Sequence, residues 1–231
     1  MSRFVSLAVV FAACSAPVEV APEAADASGL RWAEGTAEGL GMLALLNDPL
    51  TTVTVLDIDA ALDARAARNL IARRDGPDAR FGTADDNLYD TVLEVDNVAN
   101  VGEATMNALV AFADMYGYQK YGDQMLGTWD GVDFTVREAD ATVYFVNTAD
   151  RAALRAAGVN TTVTTALLAA RPFWSVQAIS LIRGVGGVTM LNLGVAGPVD
   201  EICRDDWDCG IGGLCDTGTA GATLPNVGFC R

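Results

Sequence analysis

Apolar residues recur at three- and four-residue spacing along most of this chain, the period of helices that pack by one face. Leu40, Leu43, Leu45 and Leu46 predict a short helix ending near Asn47-Asp48-Pro49, where the proline stops it. Thr52–Asp59 and Ala64–Arg74 predict two more, with Ala66, Ala67, Leu70 and Ile71 of the second facing a core. A polar loop over 75–87 interrupts the pattern, which resumes in Thr91–Val95 and Glu103–Tyr116 around the turn Asn100-Val101-Gly102. Gln119–Asp133 is polar and glycine-containing and reads as a linker carrying Trp129. Thr135-Val136-Arg137-Glu138 fits a capping box, so a helix is expected from Val136 to about Val146. Val146–Leu193 then holds two glycine-marked turns, Gly158-Val159-Asn160 and Gly184-Val185-Gly186, each followed by an apolar helix-forming run.

The two helical blocks can be laid over each other. Asn47 pairs with Asn147, and Leu70-Ile71-Ala72 with Arg74 pairs with Leu167-Leu168-Ala169 and Arg171. Tyr89-Asp90-Thr91-Val92 pairs with Phe173-Trp174-Ser175-Val176. Val101-Gly102 with Thr105-Met106 pairs with Val185-Gly186 and Thr189-Met190. The expected fold is mainly α: two related helical units at 36–118 and 135–197, joined by a linker at 119–134, with an acidic insertion at 75–87 in the first.

The two ends differ from this pattern. Arg3 followed by the apolar run Phe4–Ala13 reads as a signal sequence, too short to span a bilayer. Phe11-Ala12-Ala13-Cys14 resembles a bacterial lipobox, which implies removal of 1–13 and lipidation of Cys14. Ser15 after the cysteine implies sorting to the outer membrane, facing the periplasm or the cell surface. Residues 14–35 read as a flexible tether, rich in Ala, Pro and Glu at its start. Lipidation of Cys14 leaves four cysteines, Cys203, Cys209, Cys215 and Cys230, in a glycine-rich tail over 198–231. Outside the cytoplasm these form two disulfides, with three connectivities open. A four-thiolate zinc site is the rival, and no CxxC pair supports it.

Charge and composition narrow the function classes. The 231 residues are 51% hydrophobic, which rules out global disorder. A net charge of −15 opposes non-specific attraction to nucleic acid or an anionic membrane. The absence of histidine removes His general bases, Ser–His and Cys–His pairs and His-ligated metals. No carboxylate constellation argues for catalysis, so the chain reads as a binding protein and not an enzyme.

One stretch has a specific resemblance. Val146-Asn147-Thr148-Ala149, Leu154, Gly158-Val159, Ala169-Ala170-Arg171-Pro172-Phe173, Ser175-Val176 and Gly184-Val185-Gly186 resemble the double helix-hairpin-helix module of bacterial competence DNA-uptake receptors. A related helical region occurs in a minor pseudopilin of type II secretion. The resemblance implies sequence-independent contact with a DNA backbone, through free N–H groups at the start of the second helix of each hairpin. The positions that match are Gly158, Val159 and Asn160 in the first hairpin and Arg183, Gly184, Val185, Gly186 and Gly187 in the second. Asn160 stands where a second glycine is usual and tolerates the left-handed region. Val146–Val199 carries Arg151, Arg155, Arg171 and Arg183 against Asp150 alone, a net +3, whereas Leu50–Tyr118 sums to −7. Any phosphate site therefore belongs to the second unit. The alternative is a protein–protein scaffold, or a component of an envelope uptake or secretion machine, whose glycines only close turns.

The insertion carries Asp75, Asp78, Asp85 and Asp86 on a glycine-containing loop. Clustered carboxylates suit Ca²⁺, a hard cation, although the spacing is not that of an EF-hand loop. A solvated acidic loop with Asx turns is the other reading. No other cofactor is expected.

Overall fold

The computed structural model describes residues 32–204, 206–209, 213–216 and 227–231. The signal sequence, Cys14 and most of the tether lie outside them. The end expected as tether is ordered: Trp32 packs against the first core, and Thr36 caps the helix that follows.

The chain is mainly α-helical. The first block runs through α1 (Ala37–Asn47), a π-helical turn (Val55–Asp59), α2 (Ala64–Arg74), α3 (Val92–Asp96) and α4 (Glu103–Met115). The second runs through α5 (Val136–Thr148), α6 (Arg151–Ala156), α7 (Thr161–Ala170), α8 (Val176–Ser180) and α9 (Gly187–Ala196). Side-chain caps start most of them: Asp63, Thr91, Thr135, Asp150, Asn160 and Ser175 each accept a bond from a first-turn N–H. Thr135 and Glu138 form the expected capping box. Each block has its own apolar core. Met42, Leu46, Leu70, Met106 and Leu109 centre the first, and Val146, Leu154, Leu167, Ile179, Met190 and Leu193 the second.

Equivalent contacts hold the two blocks. Asn47 donates from its amide to the Tyr89 carbonyl and accepts from the Tyr89 N–H, both at 2.9 Å. Asn147 does the same with Phe173, at 2.7 and 2.8 Å. Each amide thus closes a distant extended residue onto the end of its block's first helix, leaving neither backbone group unpaired. Arg74 is buried and donates to the carbonyls of Leu46, in the last turn of α1, and of Asp48 and Thr51 beyond it. Arg171 reaches the Ala149 carbonyl, which follows α5. Ala61 at φ 52° turns the chain before α2, and Gly158 at φ 83° before α7.

The stretch expected to be a polar linker is a β-hairpin. β1 (Met125–Trp129) pairs antiparallel with β2 (Val132–Thr135), and Trp129 faces Val132 across the Asp130-Gly131 turn. Both turn residues have positive φ, 52° and 77°, as a two-residue hairpin loop requires. Leu126 and Phe134 point into the second core, so the hairpin belongs to that block and does not merely join two. Apolar residues facing one side, not overall polarity, decided this segment.

The tail forms a small sheet, ordered β3 (Ile202–Cys203), β5 (Gly228–Cys230), β4 (Cys215–Asp216), with a 3₁₀ turn at Asp206–Cys209. The disulfides join Cys203 to Cys215 and Cys209 to Cys230. Ile202 and Val227 are buried in the second core, and Phe229 meets Tyr144 edge to face at 4.9 Å. Between the tail and both blocks lies Arg204. Its guanidinium contacts Asp140 of α5 at 2.6 and 2.9 Å and Glu38 of α1 at 2.6 Å. Burial alone would lower its pKa, but the Asp140 and Glu38 carboxylates outweigh that and hold it above the ordinary guanidinium value.

Two losses of stability are expected in urea denaturation. Arg204→Met leaves two largely buried carboxylates without a cation and costs about 3–5 kcal/mol. Asn147→Ala strands the Phe173 N–H and C=O and costs about 2–3 kcal/mol, with Asn147→Asp, which keeps the acceptor, costing less.

Candidate functional site

The two glycine-marked turns of the second block lie against each other's helices. A Cβ built on Gly158 would stand 2.8 Å from the Asn192 amide in α9, and one on Gly184 would stand 3.1 Å from Val163 in α7. The first turn is occupied with its own fold. Gly158 ends α6 in the left-handed region, and Val159 is fully buried. Asn160 sits at φ −67° and caps α7 through its side chain. The left-handed region expected for Asn160 is thus taken by Gly158 instead, because an N-cap needs extended backbone.

The second turn is more open. Arg183 and Gly184 are exposed, and Gly184 has φ 91°. Gly186 is the N-cap of α9 and offers no side chain to it. The N–H groups of Gly187, Val188 and Thr189 find no partner among the described residues. This is the arrangement that favours an anion. Its surroundings do not concentrate positive charge, however. The tip of the β-hairpin packs on it: a Cβ on Gly187 would stand 2.7 Å from the Asp130 carbonyl. Three of the four arginines are engaged elsewhere. Arg151 donates to the Thr165 hydroxyl, Arg155 to the Val159 carbonyl and Arg171 to the Ala149 carbonyl. Burial lowers the Arg171 pKa, and its Nε has no partner. Only the Arg183 side chain is without a hydrogen bond or ion pair among the described residues of this set.

The outer face of α9 carries a different signal. Val188, Leu191 and Val195 are 77%, 54% and 80% exposed, and they follow one helical face. Leu181, just before the turn, is 78% exposed. Met190 and Leu193 fill the core on the opposite face, so α9 is apolar on both sides. The pattern is visible in GVTMLNLGVA, where apolar residues fall on every side of the helix.

The acidic loop divides its carboxylates. Asp75 is turned inward to the Arg74 guanidinium at 2.7 Å. Asp85 accepts from the Asp78 N–H, and Asp86 from the N–H groups of Gly82 and Thr83. The Thr83 hydroxyl lies 2.6 Å from Asp85 and 3.4 Å from both Asp78 and Asp86. The hydroxyl contact to Thr83, then the backbone N–H of Asp78, lower the Asp85 pKa. Among the described residues the four carboxylates do not converge as one ligand set. The set of close ligating atoms found there is Cys203, Cys209 and Cys230, whose sulfurs are taken up in the two disulfides and so are not thiolates for zinc.

The turn glycines are separable by experiment. Gly184→Ala forces a Cβ into a left-handed conformation beside Val163 and is expected to cost about 1–2 kcal/mol in thermal or urea unfolding. Gly186→Ala, at extended φ −166° with open space around it, is expected to stay within about 0.5 kcal/mol of the parent. In comparison with known proteins, no family model, no curated protein and no solved structure matches the chain.

Proposed function

We propose that this chain is a non-catalytic, lipid-anchored protein of the bacterial envelope, built from two related helix-hairpin-helix units, whose second unit docks another protein. The paired clamps of Asn47 and Asn147, and of Arg74 and Arg171, support the kinship of the units. The tail disulfides support an oxidising compartment. The exposed apolar face of α9 carries the docking reading. Its Val188, Leu191 and Val195 are not needed for the core, and a contiguous apolar surface of this kind marks an interaction site.

DNA contact is the second reading, favoured by the uncapped start of α9 beside exposed Arg183. Half-buried Arg171 weakens it, and exposed Arg151 and Arg155 would each have to exchange an intramolecular hydrogen bond for a phosphate contact.

One pair of measurements separates the readings. With a photo-crosslinking residue at position 188 in the native envelope, a discrete protein adduct is expected, and Leu191→Asp abolishes it. No duplex DNA shift is expected at low salt. A shift that falls with salt and is lost in Arg183→Glu, with no protein adduct, would replace docking by DNA binding.

A further inference from the structure

A groove of about 380 Å³ runs between the C-terminal half of α9 and β2. We propose that it receives a cationic amphipathic segment of the partner protein, an inference that rests on the docking reading and gives the partner its chemistry.

The floor and walls are apolar. The Phe134 ring closes against Gly194, where a Cβ would stand 3.3 Å from it, so the glycine sets the depth. Leu191 and Val195 form the wall on the α9 side, continuous with the exposed stripe described above. Val132 and Val199 line the groove as well.

The rim has one sign of charge. Asp133 stands on β2 and Glu138 on the first turn of α5, with Asp200 and Glu201 on the segment that leaves α9. Among the described residues no Lys or Arg lines the groove. None of the four carboxylates takes part in an ion pair among the described residues. Two are held in place: Asp133 accepts from the Thr128 hydroxyl, and Glu138 from the Thr135 N–H and hydroxyl. Four like charges around a low-dielectric cleft focus a negative potential into it. An occupant of apolar residues interleaved with Lys or Arg relieves that repulsion and covers the apolar walls together. A nucleic acid or an anionic lipid surface would add to the repulsion. The groove also differs in sign from the Arg183 turn at the other end of the same helix.

The test uses the full mature chain and three short labelled peptides of one amphipathic pattern: Leu with Lys, Leu with Gln, and Leu with Glu. Anisotropy is expected to show the Lys peptide binding about tenfold more tightly than the Gln peptide, with no binding of the Glu peptide. D200K/E201K should remove that preference, and Val195→Asp should weaken all binding. Asp78→Lys with Asp85→Lys removes the same charge from the distant loop and should leave binding within about twofold, since separate sites act independently. Equal loss in that control, or equal binding of the Lys and Gln peptides, overturns the cationic partner while a Val188 adduct keeps docking alive. Sedimentation showing a dimer of the chain alone that Val195→Asp dissociates would make the occupant a second copy and overturn the proposal. Absence of both peptide binding and the Val188 adduct sinks the inference and the docking reading together.

Discussion

The Arg204 guanidinium is the contact on which the arrangement of the three parts depends. It follows disulfide-bonded Cys203 at the end of β3 and enters a space shared by Glu38 of the first block and Asp140 of the second. Enclosing a cation costs several kcal/mol unless its partners are close and well aligned. Two carboxylates, one contacted through Nε and Nη2 and the other through Nη1, meet that condition. A sheet whose strands are two or three residues long cannot hold such a group in place unaided. The crosslinks Cys203–Cys215 and Cys209–Cys230 limit what the tail can do when released, and Arg137 adds a second tie through the Asp208 side chain and carbonyl.

Within each block a similar economy of polar groups applies. The carbonyls at and just beyond a helix end need donors, and the chain supplies an arginine at the end of a later helix: Arg74, the last residue of α2, in the first block and Arg171, which follows α7, in the second. Arg74 then meets Asp75 and the face of Phe81, with the guanidinium 4.8 Å from that ring. In the second block Arg171 is half-buried, whereas Arg151, Arg155 and Arg183 are exposed, the first two each with one intramolecular hydrogen bond.

The two ends of α9 therefore differ in character. Its start is an uncapped helix terminus with an exposed arginine nearby. Its outer face and end are apolar and open on a cleft ringed by acids. An interface of apolar anchors with a charged rim gains contact area from the first and partner choice from the second.

Much of the helical order was readable from the residues alone. The capping box at Thr135 and apolar spacing act within a few residues, so they locate helices without knowledge of the fold. The sequence alignment of Asn47 with Asn147 and of Tyr89 with Phe173 coincides with matching hydrogen bonds in the two blocks. The Asp130-Gly131 turn was a hairpin signal in plain view, outweighed by the polarity around it. Other features needed the tertiary structure. Which cysteines pair, which arginines are engaged, and how Asp133 and Glu138 come to face Asp200 and Glu201 all depend on segments far apart in the chain. Local propensity carries no information about such meetings; the packing of β2, α5 and α9 around one core creates them.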